Sequence, residues 1–368
     1  MKYIDEYRDP KRIDRLAEQI RKISRKPIKL MEVCGTHTVT IARNGIREIL
    51  PDHITLISGP GCPVCVTPID GVDRAIALSQ QEGISIATFG DLLRVPGSKT
   101  SLLRERGKGA DIRVVYSAYD GLCLAQQAEN RQVVFLGVGF ETTAPTVAAV
   151  IRRAMEARIK NFTVLSMHKL LPPALEALVQ SPTLEIDGFI CPGHVTTIIG
   201  TEPYMPIARN FHVPCAVAGF EPVDVLQAIV LLVRQIENGE ANVEVQYRRA
   251  VSPEGNPKAR AILEEVFEPA DSAWRGFGLL PKSGLKIAAS YGGFDAELRY
   301  DIPPRKVTEP KECLCGDILR GLRQPPDCSL FGRVCTPETP VGACMVSSEG
   351  TCAAHYKYLT SVAVNQKN

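Results

Sequence analysis

The chain is poor in aromatic residues, with one tryptophan among 368 residues, and it contains no long apolar run. Its most apolar helical stretch, Leu226 to Val233, falls far short of the roughly 20 residues that a bilayer-spanning helix needs, so no membrane association is expected. Charge of one sign is also missing. The 43 basic residues stand against 41 acidic ones with no basic stripe, which removes the electrostatic footprint of a nucleic-acid binder. There is no low-complexity linker, short-period repeat or second C-x-x-C pair. The first residues, Met1-Lys2-Tyr3-Ile4-Asp5-Glu6, carry charges where an export signal would be apolar, so a cytoplasmic location is expected.

What the chain has is cysteine, twelve in all. Six of them, Cys313, Cys315, Cys328, Cys335, Cys344 and Cys352, crowd the C-terminal end. Three more, Cys34, Cys62 and Cys65, lie in Gly/Pro/Thr-rich loops near the N-terminus. A chain of this length can bury a core without disulfide staples. In a reducing compartment such clusters point to metal binding or redox work.

The length predicts two or three domains. After an amphipathic helix near residues 11–24, with Ile13, Leu16, Ile20 and Ile23 on one face, short β-rich runs alternate with helical patterns. The runs are 28–33, 54–58, 84–89, 112–116, 133–138, 162–167, 188–190 and 215–219. This βαβ alternation predicts parallel sheets covered by helices. A break near 126–132 divides the runs into two groups of four. The expected fold class is therefore α/β, with two similar Rossmann-like parallel-sheet domains at 1–127 and 128–250. A helix around 223–238 closes the second. Beyond residue 250 proline and glycine become frequent, which predicts an irregular third domain, 251–368, organised around a cofactor.

In open parallel sheets the ligand crevice lies beyond the carboxyl ends of the strands. Those ends carry Cys34-Gly35-Thr36-His37-Thr38, Gly59-Pro60-Gly61-Cys62-Pro63-Val64-Cys65, Gly139-Phe140-Glu141-Thr142-Thr143, His168-Lys169 and Cys191-Pro192-Gly193-His194. Cys62 and Cys65 sit at a strand-to-helix turn, where a helix N-terminus can lower a thiol pKa for disulfide exchange or soft-metal binding. Cys34 and His37 could share a metal or act as thiolate and base, or Thr36 and Thr38 could simply cap a helix. Glu141 reads either as facing a ligand or as an ordinary cap. His168 and His194 read individually as hydrogen-bonded loop residues, and Cys123 and Cys215 as buried thiols. At the C-terminal end, Cys313, Cys328, Cys335 and Cys352 give C-x14-C-x6-C-x16-C and leave Cys315 and Cys344 over. Four thiolates around an iron–sulfur cluster fit that set, and zinc competes with it.

The Cys34–Thr38, Gly59–Cys65, Gly139–Pro145 and Cys191–Val195 motifs, with Gly342-Ala343-Cys344-Met345-Val346-Ser347-Ser348-Glu349-Gly350, occur in an order that resembles the HypD hydrogenase-maturation family across essentially the whole chain. The resemblance implies a scaffold for assembling the Fe(CN)2CO unit of [NiFe]-hydrogenases. It implies a complex with a small HypC-type chaperone, cyanide received from a HypE-type donor, and a chain that is monomeric when alone. Cys34 would hold the iron, with His37 beside it. Cys62 and Cys65 would form a redox-active pair. Cys313, Cys328, Cys335 and Cys352 would bind a [4Fe-4S] cluster, and Cys315 with Cys344 would form a second pair like that of ferredoxin-thioredoxin reductase. Two other classes remain open at this level, a stand-alone iron–sulfur disulfide reductase and a zinc-stabilised binding module.

Overall fold

The computed structural model describes residues 5–359 apart from 129, 303–306 and 308–309. Residues 1–4 of the charged N-terminal stretch and 360–368 of the expected third domain lie outside the described residues. Eleven strands are present among them: β1 (Ile28–Glu32), β2 (Ile54–Ser58), β3 (Ile84–Thr88), β4 (Ile112–Val114), β5 (Gln132–Gly137), β6 (Phe162–Ser166), β7 (Gly188–Pro192), β8 (Cys215–Ala218), β9 (Val243–Val245), β10 (Phe267–Trp274) and β11 (Gly278–Ile287). The first eight coincide with the runs read from the sequence. Buried on both faces under helices, these strands are near-continuous apolar segments such as Val133-Val134-Phe135-Leu136, which parallel sheets require.

The grouping of the strands differs from two sets of four in chain order. One parallel sheet runs β2-β1-β7-β8-β9 and a second runs β4-β3-β5-β6. The chain leaves the first sheet after β2, builds the whole second sheet, and returns at β7. The position 127/128 thus falls between β4 and β5, inside the four-stranded sheet. Hydrophobic patterning marks a strand but carries no label for its partner, and a parallel partner is necessarily distant in sequence.

The third segment is more regular than its composition suggests. The helix Pro257–Val266 leads into the antiparallel hairpin β10/β11, which has a bulge between Ala270 and Ser272. Only after the short helix Ala296–Arg299 does the chain become a series of turns around the cysteines. The N-terminal helix Pro10–Ile23 is capped by the Asp9 carboxylate and packs on Pro222–Asn238. That second helix stops at Gly239, whose left-handed φ of 70° ends it without strain. Among the described residues, no helix is long and apolar enough to cross a membrane.

Candidate functional site

In the five-stranded sheet, β1 pairs with β2 on one side and with β7 on the other, so the direction of winding reverses between β1 and β7. A crevice opens at such a point beyond the carboxyl ends. Cys34 follows β1 as the N-cap of the helix Gly35–Arg43, and His194 lies in the first turn of the helix Gly193–Ile199 that follows β7. Their side chains meet there, with Cys34 Sγ 4.0 Å from His194 Nδ1. Burial pushes the Cys34 thiol up to about 12 and the His194 imidazole down to about 4. At neutral pH the pair is therefore a thiol beside an uncharged imidazole, the form in which a histidine binds a metal.

His37 occupies a different place from the one expected. One turn into its helix it points across to β8, where Nε2 hydrogen-bonds the Gly219 carbonyl at 2.9 Å and the ring stacks on Phe220. The imidazole facing Cys34 is that of His194, which shares the face of Phe220. The signal for it was positional, since His194 ends a strand adjacent to β1. That adjacency is a property of the sheet and not of the sequence.

The loop after β2 is pressed against Cys34. The Gly35 amide donates to the Gly61 carbonyl at 3.0 Å, and a Cβ on Gly61 would stand 2.4 Å from the Cys34 nitrogen. Cys62 then caps the one-turn helix Pro63–Val66, its sulfur accepting from the Cys65 amide at 3.3 Å. The low thiol pKa expected from a helix N-terminus is not found at Cys65. Burial, then contacts with the Cys344 and Cys62 thiols, raise it well above the ordinary value.

All six C-terminal cysteines line one small pocket, together with Ile318, Phe331, Gly342 and Met345. The Cys315 thiol donates to Cys344 Sγ at 2.9 Å. Cys313 is in hydrogen-bond contact with Cys315, and Cys352 with Cys344. Cys344 also touches Cys65, so sulfur follows sulfur from the cavity to the Cys62–Cys65 turn. Cys335 Sγ accepts the Val341 amide at 3.3 Å, and Cys328 donates to the Glu312 carbonyl. Among the described residues no three His, Cys, Asp or Glu side chains converge as ligands of a single ion would. Six sulfurs around a small apolar pocket, one already receiving an amide, are a donor set that fits a polynuclear iron–sulfur group.

The cysteine-rich segment is itself docked on the Cys34 loop. Thr36 Oγ1 donates to Glu349 Oε1 at 2.7 Å, and the helix Thr351–Tyr358 packs on Gly35–Arg43. Glu349 belongs to a motif visible in the sequence, yet its reach to Thr36 spans most of the chain.

The remaining candidates lie outside this cluster. Glu141 is buried, with Oε1 accepting from the Leu171 amide at 2.8 Å and Oε2 without a partner among the described residues, so it braces a loop rather than facing an open crevice. Burial raises its carboxyl from 4.5 to about 7. Its stabilising contribution is complete below pH 4.5, where folded and unfolded forms are both protonated, and is lost as pH rises through 7. Glu141→Gln is expected to flatten that slope, worth roughly 3 kcal/mol over the window, in urea denaturation between pH 4.5 and 8. His168 is a buried neutral ring against Phe267, and Lys169 donates to Ser272. Cys215 is fully buried, whereas Cys123 is partly exposed.

The family model described as "HypD: Hydrogenase formation hypA family" matches residues 11–359. The chain is 49% identical over 368 residues to the "Hydrogenase maturation factor HypD2" of Bradyrhizobium diazoefficiens, covering 97% of each chain. It is equally similar to the "Hydrogenase maturation factor HypD" of Cupriavidus necator, at 49% over 97% of each. The protein of the same name from Escherichia coli is 43% identical over 97% of this chain and 98% of its own.

Proposed function

Because this chain belongs to the HypD family of hydrogenase maturation factors, we propose that it is the scaffold on which the Fe(CN)2CO unit of a [NiFe]-hydrogenase is built. In this reading it works with a HypC-type chaperone and takes cyanide from a HypE-type donor. The observation that carries the reading is the unbroken run of thiols, from the C-terminal cavity through Cys344 and Cys65 to the turn pressed against Cys34.

Cys34 binds the iron cargo as a thiolate, its proton leaving to solvent, with the uncharged His194 imidazole beside it. Cys313, Cys328, Cys335 and Cys352 would hold a [4Fe-4S] cluster, which supplies electrons one at a time. Cys62, Cys65, Cys315 and Cys344 carry thiol–disulfide exchange. The Cys344 thiolate attacks Cys65 of a Cys62–Cys65 disulfide, and Cys62 leaves as a thiolate that takes up a proton. Cys315 then attacks Cys344 of the mixed disulfide and releases Cys65. Two electrons and two protons move to the Cys62/Cys65 pair, leaving a disulfide between Cys315 and Cys344. A dithiol so reduced, one loop from Cys34, is suited to freeing cyanide from a thiocyanate, which needs two electrons to return the donor as a thiol.

Burial favours this reading over a stand-alone disulfide reductase. Such an enzyme must present a nucleophilic sulfur to a protein substrate, whereas Cys62, Cys65, Cys315 and Cys344 are at most 4% exposed. Anaerobic co-purification with the small chaperone, followed by infrared and Mössbauer spectroscopy, tests it. The expected result is a brown complex with bands of iron-bound cyanide and carbon monoxide. A colourless, zinc-loaded complex without those bands would overturn it.

A further inference from the structure

The tip of the β10/β11 hairpin lies against both thiol-bearing loops, the Cys65 turn and the helix Cys315–Leu319. Arg275, only 4% exposed, lies at that tip. Its backbone amide donates to the Val66 carbonyl at 2.8 Å. Its Nε donates to the carbonyls of Cys65 and Thr67, both at 3.2 Å, and Nη2 donates to Thr67 at 2.9 Å. Side chain and backbone amide of this one residue thus gather three consecutive carbonyls, Cys65 to Thr67, of the turn that carries Cys65. The next residue, Gly276, faces the other loop. Its φ is 84°, and a Cβ there would stand 2.5 Å from the Gly316 carbonyl oxygen, so the tip lies directly on the helix Cys315–Leu319. Trp274, anchored by its indole N–H to Ser283 and stacked on Phe140, holds the base of the tip still.

We propose that Arg275 is a positioning residue for the thiol relay, holding the Cys65 turn against the Cys315/Cys344 loop so that Cys344 stays within attacking distance of Cys65. The inference rests on the exchange reading above. The reason is effective concentration. Neither loop has regular structure beyond one or two turns, and an intramolecular exchange loses its advantage once the sulfurs drift apart by about an ångström. A planar fork bound to the Cys65 and Thr67 carbonyls fixes orientation as well as distance, which a point charge cannot do.

The test uses the full chain, anaerobic and loaded with its iron–sulfur group so that Cys313, Cys328, Cys335 and Cys352 are occupied, carrying Cys62→Ser and Cys315→Ser so that Cys65 and Cys344 are left to pair with each other. Equilibration with oxidised and reduced glutathione converts the two thiols to one disulfide. Two electrons and two protons pass to oxidised glutathione, which leaves as two reduced molecules. Mass spectrometry after alkylation gives the equilibrium constant. Adding Arg275→Met is expected to lower that constant about tenfold, equivalent to roughly 30 mV for a two-electron couple. Arg275→Lys should fall between the two. Ile20→Val, which loosens the distant core under the N-terminal helix, should leave the constant unchanged. A Met variant with the parental constant would overturn the proposal, as would an equal drop in the Ile20 variant. If the parental double variant forms no Cys65–Cys344 disulfide at all, the exchange reading itself fails.

Discussion

Replacing Cys34 by alanine is expected to abolish retention of the iron unit while leaving the C-terminal centre intact. In the complex with the chaperone, the infrared bands of bound cyanide and carbon monoxide should fall to background, and the iron–sulfur absorbance should persist. The asymmetry follows from the geometry. Cys34 stands at the end of β1, and the thiols near the cavity belong to a separate segment that reaches it through Thr36–Glu349 and helix packing. Removing one small buried sulfur costs about 1 kcal/mol of stability, too little to unfold the chain. The two histidines should separate in the same assay. His194→Gln takes away the imidazole 4.0 Å from Cys34 and should weaken iron retention. His37→Gln disturbs the bond to Gly219 and the stack on Phe220, so it should lower the melting temperature first. Persistence of the bands in the Cys34 variant would remove that thiol as the iron ligand.

Gly61→Ala should be a severely damaging methyl addition at the Cys34 loop. The new carbon would lie 2.4 Å from the Cys34 nitrogen and 2.5 Å from its Cα and carbonyl carbon, all backbone atoms that cannot swing aside. Relief requires the two loops to part by about 1 Å, which breaks the Gly35–Gly61 hydrogen bond and exposes Cys34. A loss of about 3 kcal/mol or more is expected in denaturant unfolding, together with alkylation of Cys34 at least tenfold faster than in the parent. Gly107→Ala provides the contrast. It lies at the end of the helix Leu102–Gly107 with nothing within 4 Å of the added carbon, and helix propensity should make it neutral to stabilising, by up to about 1 kcal/mol. A Gly61 variant as stable as the parent would mean that the two loops are not held in contact.

The parts of this fold that were legible in the sequence are those set by local pattern. Apolar runs of three to six residues between turn-forming residues marked β1 to β8, and the spacing of Ile13, Leu16, Ile20 and Ile23 marked the first helix. β9 escaped because it is three residues long and only half-buried. The hairpin β10/β11 escaped because Pro269, Gly278 and Gly284 interrupt it and most of β10 faces solvent. That hairpin places Arg275, so the residue joining the two thiol loops carried no motif at all.

The sequence by itself determined the chemistry available: soft thiols in two clusters, a C-x-x-C pair on a glycine-rich turn, and parallel α/β layers to present them. Those properties reside in residue identity and in spacings of a few positions. Which groups meet was decided by the tertiary structure alone. The pairing of β1 with β7 exchanged His37 for His194 beside Cys34, and the docking of the C-terminal segment brought Cys344 to Cys65. Both are contacts between residues far apart in the chain. They are fixed by which surfaces bury each other best, a sum over the whole molecule that no local spacing records.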